Sequence, residues 1–173
     1  MRFSYTESMC DPSHLPPLAI AADQAGYTSM AVPDSICYPE VSDSKYPYTP
    51  DGNREFLEGK PFIEPFSLIP AMAAVTEKLR FATFVVKLPI RNPVLVAKQA
   101  AEVDLLSGGR LMYGFGRGYQ SIEFNGFDIS LNEARERTDE AVDIMRLAWT
   151  NDHFSYDGKW TKFENLNVLP KPL

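Results

Sequence analysis

The sequence predicts an α/β fold built on a parallel sheet, and three observations carry that prediction. Short apolar segments alternate with helix-like segments along the 173 residues, the pattern of consecutive strand–helix units. Residues 79–88 (LRFATFVVKL) are almost continuously apolar, as a strand covered on both faces must be. Prolines open the helical segments and glycines follow their ends, which marks where each helix starts and stops.

Residues 2–6 are the first strand candidate. Residues 16–25 (PPLAIAADQA) read as a helix whose prolines stand where missing N–H groups cost least, with Gly26 as a left-handed residue after its end. The second strand is 27–32 (YTSMAV), stopped by Pro33. Residues 33–64 make a long loop rich in tyrosine and proline with an Asp51-Gly52 turn. A loop of that length in a compact domain is functional or disordered, and its aromatics favour an ordered lid or pocket wall. Residues 65–77 form the second long helix, with an irregular first turn expected from Pro70. After the strand at 79–88, Asn92 caps a helix that begins at Pro93, buries Val94, Ala97, Ala101 and Leu105, and ends at Gly108-Gly109. Residues 110–115 (RLMYGF) are the fourth strand. Ser130 and Glu133, spaced as a capping box, open a helix to about Trp149 with Ala134, Ala141, Met145 and Ala148 as its buried stripe. Asp157-Gly158 lies between two short strands, which predicts a β-hairpin near the C-terminus.

Composition excludes several classes of partner. A formal net charge of −6 and a pI of about 4.9 give no counterion-release affinity for nucleic acid, and no basic cluster suits a membrane surface. Cys10 and Cys37 stand outside any metal-ligand spacing, so free thiols and no metal site are expected. The first eight residues carry no apolar signal region, and no apolar run approaches the roughly 20 residues of a membrane span. The expectation is a soluble, cytoplasmic protein.

Four strand–helix units amount to half of a (β/α)8 barrel, a fold that typically needs about 250 residues. Periodicity alone fits an open four-stranded α/β sheet equally well. Half a barrel has two unpaired sheet edges and an uncovered inner face, so the expected partner is either a second copy in a homo-oligomer or the remainder of the barrel. Residues 1–173 are therefore read as one partial domain.

Several stretches together resemble the luciferase-like monooxygenase family: YTSMAVPD at 27–34, KYPYTPDG at 45–52 with the EPF that follows, the whole of 79–119, and the hairpin with NVLPKP at the end. The resemblance covers nearly the entire chain. It implies the N-terminal half of a (β/α)8 TIM barrel. It also implies a flavin- or deazaflavin-dependent oxidoreductase that transfers a hydride between coenzyme F420 and a small organic substrate. The YPYTPDG loop points to the F420 group. FMN-dependent monooxygenases of the family share most of the same features and are the alternative. A non-catalytic, truncated flavin-binding paralogue, or a half-barrel assembly partner, is the alternative from another class.

In (β/α)8 enzymes the chemistry lies at the C-terminal ends of the strands. The sequence places Asp34 and Ser35 there after the second strand, Thr83, Phe84 and Val85 in the third, and Gly116, Arg117, Gly118, Tyr119 and Gln120 after the fourth. Glycines let backbone approach a ligand closely, and an arginine among them offers a planar fork to phosphate; the plainer reading is a strand-end turn with a surface arginine. The GFGRGY string makes a poor dinucleotide fingerprint, since its third glycine comes one place early and a helix follows where a second strand should. The resemblance implies a cis peptide and a bulge at Phe84-Val85 beneath the flavin ring, with 116–120 at its phosphate end or ring edge. Asp34 and Ser35 are the catalytic candidates. Many relatives carry histidine where this chain has Ser35, and its own His14 and His153 lie elsewhere. Tyr46 and Tyr48 are candidates for the wall of a substrate pocket, or else pack the loop over the barrel rim. Further phosphate contacts in the family come from the second half of the barrel, so weak or no cofactor binding is expected of these 173 residues alone.

Overall fold

The structure is a computed structural model that describes residues 1–7, 9–41 and 44–173. In chain order its elements are β1 (Ser4–Thr6), α1 (Leu15–Gln24), β2 (Ser29–Val32), α2 (Pro65–Ala73), β3 (Arg80–Thr83), β4 (Val86–Lys87), α3 (Pro93–Leu106), β5 (Leu111–Met112), β6 (Phe115–Gly116), α4 (Ser121–Asn125), α5 (Ala134–Thr150), β7 (Phe154–Asp157) and β8 (Lys162–Leu166). β1, β2, β3 and β5 form one sheet in that order, every pair parallel. β4 prolongs β3, β6 prolongs β5, and these two also pair in parallel. Strand order follows chain order without a reversal, which is the winding of a (β/α)8 barrel; a doubly wound open sheet would reverse. The chain is thus half of such a barrel, followed by the antiparallel β7–β8 hairpin, which forms a sheet of its own.

The register separates the two faces of the sheet. Tyr5, Met30, Phe81 and Leu111 lie side by side, and all four join the apolar core under the helices. The next row, Thr6, Ala31, Ala82 and Met112, points the opposite way because side chains alternate along a strand. The core is filled by Leu15 and Ala19 of α1, Ile69 and Met72 of α2, Val96 and Ala100 of α3, and Ile144 and Met145 of α5. Each such large aliphatic side chain contributes about 1.5–3 kcal/mol by leaving water.

The end of the sheet away from the strand exits is pinned by two charged side chains. Asp23, in the last turn of α1, accepts from the backbone N–H of Glu77, Lys78 and Leu79 at 2.7, 3.2 and 2.7 Å, which fixes the entry to β3. Arg110 donates to the carbonyls of Ala73, Leu79 and Ser107 and to the Thr76 hydroxyl, satisfying carbonyls that the end of α2 leaves open.

Several expectations need correcting. The third and fourth strands each break into two pieces. α2 stops at Ala73 and runs through Pro70 without an irregular first turn. α3 buries Val96, Ala97, Ala100, Ala101 and Val103 and leaves Leu105 exposed. Its face is rotated from the expected one because α5 packs along its flank, where the Trp149 indole N–H donates to the Ala97 carbonyl at 2.9 Å. The capping box does not form as written: Ser130 Oγ accepts from Asn132 N, while the Glu133 carboxylate turns to Arg137 at 2.8 Å. The buried stripe expected on α5 is present. Ser42 and Asp43 of the long loop lie outside the described residues. Among the described residues no helix is long and apolar enough to cross a membrane.

Burial pushes the Asp23 carboxyl up, but its three backbone donors and nearby Arg110 outweigh that and hold it below the ordinary 3.8. A depressed carboxyl stabilises the fold above its unfolded pKa and loses that contribution as pH falls through its folded one. Asp23→Asn is therefore expected to cost about 1–3 kcal/mol in urea unfolding at pH 7, and the gap to wild type should close as the pH drops below 3.8.

Candidate functional site

The site begins with a miscount between neighbouring strands. Phe81 pairs with Leu111 and Ala82 with Met112, an offset of 30 (111 − 81), whereas Val86 pairs with Phe115 and Lys87 with Gly116, an offset of 29 (115 − 86). Residues 83–85 therefore face only residues 113–114, which is a β-bulge. Thr83 bridges it: its hydroxyl donates to the Gly114 carbonyl at 2.7 Å and accepts from the Gly114 N–H at 2.8 Å. The Phe84-Val85 peptide is cis. The bulge leaves Phe84 68% and Val85 38% exposed, although Thr83 and Val86 on either side are buried. Both facing glycines are required by space. A Cβ on Gly114 would run into the Thr83 carbonyl oxygen, and one on Gly116 would sit 2.9 Å from Val85 Cγ2.

The chain then leaves β6 through Arg117. This residue is exposed, and its guanidinium has no hydrogen-bond partner among the described residues. Gly118 takes a left-handed φ of +76°, and a Cβ there would come 3.0 Å from the Phe124 ring. Tyr119 and Gln120 turn back inward; the Gln120 amide donates to the Tyr119 hydroxyl at 3.1 Å, and its oxygen accepts from Arg54 at 3.2 Å. Burial pushes the Tyr119 phenol up, so it stays protonated.

Beneath this surface lies a buried ionic network that sequence reasoning missed. Asp34 accepts from Arg91 at 2.7 Å through one carboxylate oxygen and from the Lys87 backbone N–H at 2.9 Å through the other. The Lys87 amine donates to the Asp34 carbonyl at 2.8 Å and to Glu123 at 2.7 Å. The same Glu123 oxygen accepts the Ile36 N–H at 2.9 Å. Arg91 also faces Glu64 at 3.4 Å, and burial pushes the Glu64 carboxyl up. The Tyr113 hydroxyl is buried nearby without a partner, and burial drives its phenol far up as well. Only one signal in the sequence pointed here: Lys87 is the single charged residue within the apolar run of the third strand beyond Arg80. Glu123 sits on a helix of five residues, too short to show a period.

The structure brings Asp34, Ser35, the bulge and 116–120 to one end of the sheet. Asp34, with both oxygens occupied, is an anchor for the exit of β2 rather than a free base. Ser35 lines a cavity of about 240 Å³ between the β2 exit, residues 54–62 and Gln120. Tyr46 makes edge contacts with Tyr48, Phe56 and Tyr119 at 5.5, 5.3 and 6.1 Å, which packs the long loop against the residues after β6. Tyr48 is largely exposed, and neither tyrosine lines the cavity. His14 and His153 are exposed. A solvent-facing apolar pair backed by two side-chain-free residues, with an unengaged guanidinium beside it, fits a planar heterocycle carrying a phosphate.

The family model of the luciferase-like monooxygenases matches residues 3–173. An uncharacterised protein of Mycobacterium tuberculosis is 49% identical over 172 residues, which cover 99% of this chain and 60% of that protein. The FMNH2-dependent dimethylsulfone monooxygenase of Pseudomonas putida is 31% identical over 113 residues, 64% of this chain and 31% of that one. Among solved structures, the monooxygenase RslO1 from Streptomyces bottropensis superposes with a TM-score of 0.82 at 25% identity, covering 99% of this chain and 50% of that one. An F420-dependent secondary alcohol dehydrogenase in complex with an F420-acetone adduct superposes with a TM-score of 0.78 at 20% identity, covering 99% and 49%. The chain thus spans 60% of the length of the first of these relatives and half that of RslO1.

Removing one partner of a buried ion pair strands the other. Lys87→Met is expected to cost about 3–5 kcal/mol in denaturant unfolding, and Lys87→Met combined with Glu123→Leu should regain most of it. Equal losses in the single and double variants would show that the pair itself is not what stabilises this region.

Proposed function

The chain belongs to the luciferase-like monooxygenase family, and we propose that it forms the N-terminal part of an oxidoreductase that moves a hydride between coenzyme F420 and a small organic substrate. The observation that carries this reading is the bulge that turns Phe84 and Val85 out of the sheet at the C-terminal end of the third strand, opposite Gly114 and Gly116. The cofactor would supply the hydride-exchanging carbon, so that turnover needs no oxygen.

The chain's own residues do the placing. Phe84 and Val85 offer an apolar surface to a flat ring, and Gly116 keeps the neighbouring strand low enough for Val85 to stay in place. Arg117 is free to meet an anionic tail. Lys87, Arg91 and Asp34 hold the surrounding strand exits in register, so the surface exists before any ligand arrives. Where many relatives carry histidine after β2 this chain has Ser35, and the hydroxyls of Ser35 and Tyr119 both stand at this rim. Because Gln120 donates to the Tyr119 oxygen, the phenol proton is left for a substrate oxygen.

One observation favours a second reading, an FMN-dependent monooxygenase. Arg117 stands where luciferase-type members place an arginine on the flavin phosphate, and the Pseudomonas putida relative uses FMNH2.

The test uses the full-length product that contains these residues, titrated in parallel with F420 and FMN and followed by their fluorescence. Tight binding of one of them is expected. Arg117→Ala should weaken it about 10- to 100-fold, the loss of a charge-assisted hydrogen bond, with no change in thermal stability. Failure of the full-length protein to bind either cofactor would refute the proposal. Residues 1–173 alone should bind both with a Kd above about 1 µM. Oxygen uptake during turnover separates the two readings, since only the FMN enzyme consumes oxygen.

A further inference from the structure

Resting on the reading that this end of the sheet holds cofactor and substrate, we propose that Arg91 is the positioning residue of the cavity at the β2 exit: its one guanidinium clasps the roots of the two chain segments that wall the cavity, with Asp34 as a fixed jaw and Glu64 as a jaw that a proton releases. Apart from Gln120, every residue lining the cavity belongs to residues 35–38 or 54–62. The first segment begins directly after Asp34, and the second ends just before Glu64. The distance between the two roots is therefore set where both meet Arg91, and the width of the cavity follows from it.

The two jaws are unequal. Asp34 is buried, accepts from Arg91 at 2.7 Å and has its other oxygen filled by the Lys87 N–H at 2.9 Å. The Glu64 side chain is 34% exposed and stands 3.4 Å from Arg91, and its facing oxygen has no hydrogen-bond partner. Its other oxygen accepts from the Ser67 N–H at 3.1 Å, at the start of α2. Arg91 itself follows a buried turn, Leu88–Ile90, and its guanidinium lies 6.0 Å from the centre of the Phe66 ring, so the clasp has a firm seat. Segment 54–62 depends on such anchors. The backbone N–H groups of Leu57, Glu58, Lys60 and Phe62 all donate to carbonyls of the same segment, and these bonds do not tie it to the sheet. Arg54 holds one end through Gln120 and Tyr38, and Glu64 holds the other. Ile63 packs against the core beside Glu64, but an apolar contact is non-directional. Segment 35–38 has a further tie, since the Ile36 N–H donates to Glu123 at 2.9 Å.

Burial pushes the Glu64 carboxyl up. Arg91 and the Ser67 N–H pull it back and Asp34 pushes it further, so it ends above the ordinary 4.5. The charged and titratable groups that face it from the elements packed around it are Arg91, Asp34 and the Tyr113 phenol, which burial keeps protonated. As the pH falls from neutral, Glu64 therefore takes up its proton earlier than an ordinary glutamate does. Once neutral it loses its attraction to the guanidinium, and Arg91 is left on Asp34 alone. A partly exposed ion pair contributes modestly, so the release loosens segment 54–62 rather than unfolding it.

The experiment is hydrogen–deuterium exchange of the full-length protein without cofactor, read by mass spectrometry on peptides covering 35–38, 54–62 and α3. Rates are taken relative to α3, which cancels the intrinsic pH dependence of exchange. In the wild type, the relative exchange of 54–62 should rise about threefold between about pH 7 and about pH 5. Glu64→Gln, an isostere of the protonated acid, should show the raised rate already at pH 7 and no further rise, with 35–38 unchanged throughout. Arg91→Lys keeps a charge for Asp34 but has no planar fork to span two jaws, so it should raise 54–62 at pH 7 as Glu64→Gln does. Glu64→Gln alters a partly exposed side chain and decides the matter if Arg91→Lys fails to fold. A flat wild-type profile, a Glu64→Gln variant that exchanges like the wild type at pH 7, or one that still rises toward pH 5 would overturn the proposal. So would a rise shared equally by 35–38, which would mean general loosening and no clasp. Because no cofactor takes part, the clasp fails independently of the oxidoreductase reading. A proton-released 54–62 in a protein that binds neither F420 nor FMN would sink that reading and spare the clasp.

Discussion

A lysine amine cannot be left bare in a protein interior, and Lys87, at 6% exposure, is therefore committed to the partners around it. Those partners come from different parts of the chain. The Asp34 carbonyl belongs to the exit of β2, Glu123 to α4, and Lys87 itself to the strand that pairs with β6. Satisfying one amine thus fixes the relative positions of three segments. The loop between β6 and α4 inherits that order, because it is held at one end by the pairing of Lys87 with Gly116 and at the other by Glu123. Arg117 lies in the middle of this loop. An arginine presented by fixed ends loses less freedom on meeting an anion than one on a mobile loop.

The bulge uses the same local logic. An extra residue in one strand must go somewhere, and here the Thr83 hydroxyl takes both polar groups of Gly114, so the ladder stays satisfied while Phe84 and Val85 turn outward. The glycines opposite are dictated by contact with that bulge rather than by a turn. The row formed by Thr6, Ala31, Ala82 and Met112, on the face away from the helices, carries mostly small side chains. A barrel interior is packed in layers, and small residues on these strands leave room for larger ones from strands opposite.

How much of this could be read from the sequence depended on how local each signal was. The start of α3 was legible because an asparagine cap and a following proline are adjacent residues, and the buried stripe of α5 because its alanines recur at helical spacing against charged neighbours. The hairpin was legible from its Asp157-Gly158 turn. The ionic network was not, because Lys87 and Glu123 are 36 residues apart and Asp34 and Arg91 are 57 apart, separations over which no periodicity speaks. The buried face of α3 was misjudged because most of its surface is apolar, so only packing against α5 decides which side is covered. Asp34 was legible as a strand-end acid, but its locked state depends on Arg91 and on a backbone N–H two residues past the bulge. The tyrosines of the long loop were read either as a pocket wall or as packing over the rim, and the structure sets Tyr46 edge-on against Phe56 and Tyr119.

The central claim is that the bulge at residues 83–85 is the surface on which a flavin or deazaflavin ring rests. It is tested most directly by methyl NMR of the full-length protein with labelled valines, recorded with and without bound cofactor. The Val85 methyl signals should move strongly under the ring current, while those of Val32 and Val86, buried in the core on either side, stay in place. Cofactor binding that leaves Val85 unmoved and shifts other valines instead would place the ring elsewhere and contradict the account.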